Sequence, residues 1–270
     1  MLADPRAIES LLAFWAEAGV DVALAETPQD RMAAGLAAMA PKPVAARPVA
    51  PSSVQTSAPI EGIDAGAVEA ARQAAAGASD LEGLRTAIAA FDGCALKFQG
   101  ARQAVFYRGV ADGPVMVIGE GPGGEEDQQG EPFVGRAGKL LDKMLAAAGL
   151  MDRVFITNTV FWRPPGNRTP TPAEQAACAP FLERAVALVR PRILLLTGGA
   201  SAKHLLKRPE GILALRGRWF EWRSEDGVLE LPALPTLHPA FLLRQPAAKK
   251  KAWEDLLTLT ARLDRGERPT

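Results

Sequence analysis

Val115 to Asp127 reads VMVIGEGPGGEED. Its first five residues form a short apolar run rich in β-branched side chains, with none of the polar alternation of a half-exposed strand, so it predicts a strand buried on both faces. The glycines that follow let the main chain approach a ligand closely. Two more runs share this character: VFITNTV over 154–160 and RILLLTG over 192–198. Between them, GKLLDKMLAAA over 138–148 carries an apolar stripe, and the segment 171–189 opens Thr-Pro-Ala-Glu, a cap followed by proline in the first helical turn. Strand and helix alternate. That alternation predicts an α/β protein, a three-layer α/β/α sandwich around a mostly parallel sheet, with ligands gathered at the carboxyl ends of the strands.

Working back toward the N-terminus, residues 64 to 90 read as helical and lead into FDGCALKFQG, where the pattern changes to short apolar runs. Earlier still, PKPVAARPVAPSSVQTSAP has almost no large apolar side chains to offset the cost of ordering, which predicts a flexible linker over 41–60. Ile8, Leu11, Leu12 and Trp15 recur at helical spacing and predict a helical appendage over 1–40. The remaining span, 61–270, is expected to hold the functional domain.

The 31 basic and 31 acidic side chains balance, so a nucleic-acid surface would have to be a local patch. Arg244 and Lys249 to Lys251 form such a patch, and a solvated helix face explains the lysines equally well. The two cysteines, Cys94 and Cys178, cannot make a disulfide framework or a four-thiolate metal site by themselves. The N-terminus has no signal-peptide pattern, and no stretch approaches the roughly 20 apolar residues of a membrane span. These features predict a cytoplasmic protein with no membrane partner.

Three segments sit where chemistry is expected. The first, GEGPGGEED, is followed by GEPFVGRAG over 130–138; it lacks the Gly-Lys-Ser/Thr ending of a phosphate loop, and its acids would repel phosphate. The second, TNTVFWRPPGNR over 157–168, presents Asn158, whose amide offers a donor and an acceptor side by side. The third, TLHPAFLLRQP over 236–246, holds His238; the other histidine, His204, has no motif around it and receives no role.

Taken together and in this order, these segments resemble the uracil-DNA glycosylase superfamily, most closely its family 4 enzymes, over about Phe91 to Leu259. The resemblance implies base flipping and hydrolysis of the N-glycosidic bond of deoxyuridine in single- or double-stranded DNA by a monomeric enzyme. It implies that Phe133 stacks on the flipped base, that Asn158 reads uracil N3–H and O4, and that His238 donates to O2 as negative charge develops there. Gly121 and Gly123 would line the base pocket, and Glu120 would orient the attacking water and stabilise the sugar cation, with Glu126 or Asp127 as alternatives for the water. Glu126 is also placed to crowd the uracil C5 edge. Arg163, Arg168, Ala240, Leu242, Leu243 and Arg244 would contact DNA, the apolar members as a wedge into the stack.

The chain departs from the family at the iron-sulfur cluster. Where the pattern has four cysteines, this sequence has Phe91, Cys94, Trp162 and Cys178. A cubane cluster needs four ligands, so no metal and no cofactor is expected, and the two aromatic rings are expected to fill the space as a hydrophobic plug. Two other classes compete with the enzyme: a non-catalytic binder of uracil or abasic DNA, and a replication accessory module. An excision assay separates them.

Overall fold

The computed structural model describes residues 64–265. The appendage expected over 1–40 and the linker expected over 41–60 lie outside the described residues. Six strands, β1 (Tyr107–Gly109), β2 (Val115–Gly119), β3 (Val154–Asn158), β4 (Ile193–Thr197), β5 (Phe220–Arg223) and β6 (Glu230–Thr236), form one sheet in the order β1-β3-β2-β4-β6-β5. The four central strands are parallel, and the edge strands β1 and β5 run antiparallel to their neighbours. Helices α1 (Ala65–Ala76), α2 (Leu81–Ala90), α3 (Gly124–Gln129), α4 (Arg136–Ala147), α5 (Pro172–Val189), α6 (Gly199–Leu206), α7 (Ile212–Leu215), α8 (Pro239–Arg244) and α9 (Lys249–Asp264) complete the described part.

The sheet is covered on both faces because successive strand residues point to opposite sides. Met116, Ile118, Phe155, Leu194 and Leu196 pack with Leu84 and Ile88 of α2 and Phe181 and Val186 of α5. The intervening residues Val115, Val117, Ile156, Ile193 and Leu195 pack with Leu141 and Leu145 of α4 and Leu256, Leu259 and Leu263 of α9. Each such buried side chain contributes about 1.5–3 kcal/mol relative to exposure. The expected three-layer sandwich is therefore present.

Local signals act as their chemistry dictates. The stretch 64–90 is two helices rather than one: Asp64 caps α1 by accepting from the Gly66 and Ala67 N–H groups, and Asp80 caps α2 by accepting from Gly83 N–H at 2.7 Å. At α5, Thr171 Oγ1 accepts from the Glu174 N–H while the Glu174 carboxylate accepts from the Thr171 N–H at 2.7 Å, with Pro172 as the first helical residue. Among the described residues no helix is long and apolar enough to cross a membrane.

Candidate functional site

The carboxyl ends of β2 and β3 meet in register, with Gly119 opposite Asn158, and β6 ends at Thr236 just before His238. A cleft of about 510 Å³ opens there. It brings together Glu120, Gly121, Gly123, Glu126, Phe133, Asn158, Arg168, His238, Ala240 and Arg244.

Gly119 is the hinge of this convergence. A Cβ at this position would stand 2.3 Å from Asn158 Oδ1 and 2.5 Å from Phe133 Cζ, so only glycine lets both side chains close over the strand end. Asn158 is 1% exposed, and its Nδ2 is the only buried side-chain nitrogen or oxygen among the described residues without a hydrogen-bond partner. An unpaired buried donor costs about 1–3 kcal/mol, so at the edge of the cleft this amide is left available to an acceptor that enters it.

His238 is the N-cap of α8, and its Nδ1 accepts from the Ala240 N–H at 3.1 Å. That bond requires an unprotonated Nδ1, so the neutral ring carries its proton on Nε2 and can donate it. Burial, reinforced by the Arg244 charge, pushes the imidazole down to about 4, against a weaker opposing pull from Glu126. The ring lies 5.7 Å from that of Phe133, tilted by 31°.

Glu120 is fixed through its main chain: Thr159 Oγ1 donates to the Glu120 carbonyl at 2.6 Å, and the side chain lines the cleft. A Cβ at Gly121 would meet Val160 Cγ2 at 2.8 Å, so this turn has no room for a side chain there. Glu126 lines the cleft too, but both its oxygens are engaged, accepting from Gly123 N–H at 3.1 Å and Gly135 N–H at 2.9 Å. It ties the glycine-rich loop to the turn that bears Phe133.

Asp127 lies outside the cleft, which corrects the expectation that it acts on water. It is 2% exposed, and its carboxylate accepts from the Arg102 N–H at 2.8 Å, a tie to the segment before β1. Adjacent residues on α3 point in different directions, and of the pair only Glu126 faces the cleft.

The expected DNA-contact residues divide. Leu243 and Arg244 are exposed beside the cleft mouth, and Ala240 lines it. Leu242 is fully buried against Leu237 and Ala252, so it anchors α8 and does not belong to a wedge. Arg168 reaches the cleft with its guanidinium paired to both oxygens of the buried Glu174, at 2.6 and 2.8 Å. Arg163 donates to Asn167 Oδ1 at 2.7 Å and borders an adjoining hollow.

Two supporting clusters carry no sequence motif. Asp255 of α9 is 1% exposed, accepts from Thr236 Oγ1 at 2.7 Å and pairs with Arg216, tying the end of β6 to α9. Arg108 of β1 binds the carbonyls of Pro132 and Phe133. Their partners are distant in the chain, which hides them from any local pattern.

The residues at the family's cluster positions do not fit a cluster. Cys94 and Cys178 are buried with their sulfurs 3.8 Å apart, the Cys178 thiol donating to Cys94. The Phe91 ring lies so close over Gly93 that a Cβ there would be 2.4 Å from Phe91 Cζ, and it packs edge-on against Phe181 at 5.1 Å. Trp162 is 2% exposed and packs edge-on with Phe161. Two thiols and two rings supply half the ligands that a cubane needs. Among the described residues no three His, Cys, Asp or Glu side chains are grouped to hold a metal ion.

A family profile described as the uracil DNA glycosylase superfamily matches residues 106–257. Among curated proteins, the type-4 uracil-DNA glycosylase of Sulfurisphaera tokodaii is 37% identical over 181 residues, covering 65% of this chain and 81% of the relative. The enzymes of the same name from Pyrobaculum aerophilum and Thermotoga maritima are 39% and 41% identical, covering 66% and 52% of this chain and 91% and 71% of the relatives.

Proposed function

The chain belongs to the uracil-DNA glycosylase superfamily, and from that premise we propose how its cleft removes uracil from DNA. The enzyme is a monofunctional glycosylase that hydrolyses the N-glycosidic bond of deoxyuridine and leaves an abasic site. It acts as a monomer on uracil-containing DNA, single- or double-stranded.

The carrying observation is the pairing, in one cleft, of an unpartnered Asn158 amide with a neutral His238 whose Nδ1 is already engaged. The flipped base lies against the Phe133 ring. Asn158 Nδ2 donates to uracil O4 and its oxygen accepts from N3–H; cytosine presents the opposite order at these positions and is refused. His238 Nε2–H donates to O2, where charge accumulates as the bond to C1′ breaks, and as a preset neutral donor it strengthens its bond most in the transition state. Glu120 holds the attacking water and stabilises the developing cation on the sugar. Arg244, Leu243 and the lysines at the start of α9 meet the DNA outside the cleft, the charges on phosphates and the leucine against the opened stack.

The same reading assigns no iron-sulfur cluster to this chain. Phe91 and Trp162, which offer no ligand to iron, are buried at two of the four cluster positions, and the proposed steps use neither. The test is incubation of the purified full chain with oligonucleotides bearing one uracil, one thymine or one cytosine at the same position, followed by alkaline cleavage. Strand breakage confined to the uracil substrate supports the reading; no breakage with uracil overturns it.

A further inference from the structure

Phe133 has φ 55°, a left-handed conformation that a phenylalanine keeps only where its surroundings over-determine it. Three contacts do so. Arg108 Nε donates to Pro132 O at 2.7 Å and Arg108 Nη2 donates to Phe133 O at 3.1 Å. The same Nη2 pairs with Asp142 of α4 at 2.6 Å, and the arginine side chain is 16% exposed. Below the turn, a Cβ at Gly138 would stand 1.6 Å from Phe133 O, so the first turn of α4 is pressed onto that carbonyl. From the side, Glu126 holds the Gly135 N–H.

Of these three, Arg108 alone grips the two carbonyls that flank the Phe133 nitrogen and α-carbon. Asp142 fixes the guanidinium in turn, so the fork is set before any ligand arrives. A planar fork serves two acceptors in different directions, which a lysine ammonium on a flexible stem does not do with the same geometry. Arg108 lies outside the glycine-rich, asparagine and histidine segments and does not line the cleft.

We propose that Arg108 is a positioning residue for uracil excision: by holding the Pro132 and Phe133 carbonyls it fixes the left-handed turn that sets the Phe133 ring where the flipped base must lie. The inference rests on the reading of Phe133 as the stacking surface. Its alternative is that Arg108 merely ties β1 to α4 and supports the fold without acting through Phe133.

A double-mutant cycle distinguishes the two. Single-turnover excision at saturating enzyme is measured for the wild type, Arg108→Ala, Phe133→Ala and the double variant, with melting temperatures for all four. Displacement of a stacking ring by about an ångström predicts a loss of up to about 100-fold in Arg108→Ala. In the Phe133→Ala background the same substitution should cost less than about twofold, because the ring through which it acts is gone. Full multiplication of the two losses, or wild-type excision by a folded Arg108→Ala protein, overturns the proposal. If Arg108→Ala does not fold, Arg108→Lys takes its place in the cycle, with a smaller loss and the same required dependence on Phe133. A wild type that makes no abasic site removes the functional reading and this inference with it. A wild type that excises uracil while Arg108 and Phe133 act independently removes the inference alone.

Discussion

The cleft at the strand ends and the thiol-aromatic cluster beneath α5 occupy corresponding family positions but differ in what their side chains have left to offer. In the cleft, Asn158 keeps a buried donor with no partner, and His238 uses one ring nitrogen for its own helix and leaves the other to donate. In the cluster, the Cys178 thiol donates to Cys94, and Phe91 and Trp162 are buried in the same hydrophobic core as the two sulfurs. Unsatisfied, preorganised polarity is what a binding and catalytic site requires, whereas a buried apolar cluster contributes packing. On the proposed reading the first region serves chemistry and the second stability, and mutations should separate the two.

The largest effect is expected from Glu120→Gln, which removes charge and keeps shape: excision should fall by about 100-fold or more while DNA binding changes little. Measured single-turnover rates equal to wild type would take Glu120 out of the chemistry. In the other region, Trp162→Ala should cost about 3–5 kcal/mol of stability, as a large-to-small change in a packed core does, while the rate per folded molecule stays near wild type. An unchanged melting temperature would show that the ring fills nothing.

A smaller effect concerns pH. His238 sits at about 4 in the folded protein against an ordinary value of 6.5, so the unfolded chain takes up a proton below about pH 6.5 that the folded chain refuses until about pH 4. The stability linked to this histidine is complete above pH 6.5 and is lost as pH falls through that window. Asparagine also caps helices and does not titrate, so His238→Asn isolates the contribution. The urea midpoint of the wild type should drop relative to that of the variant between about pH 7.5 and about pH 5. A constant gap between the two would contradict the assignment of a neutral ring.

Much of this was legible in the chain. Three of the four central strands, β2, β3 and β4, announce themselves because a strand covered on both faces must be apolar throughout, and the motifs follow because parallel strands place their ends on one side. β6 was not legible: Pro232 and Pro235 argue against a strand, yet it pairs with both β4 and β5. Nor could residue-level direction be read from composition. Glu126 and Asp127 are neighbours of like chemistry, as are Leu242 and Leu243, and in each pair the helix turns one member inward and one outward. Arg108 was hidden because its partners lie 24 to 34 residues away.

The most direct test of the division between a reactive cleft and an inert packed cluster is to assay uracil excision and iron content on the same purified full chain, with and without chelator and with Cys94→Ser alongside. The account predicts colourless protein with no stoichiometric iron, abasic sites formed from a single-uracil oligonucleotide, and a rate that neither chelator nor Cys94→Ser changes. Brown protein whose excision is lost together with its iron would contradict it.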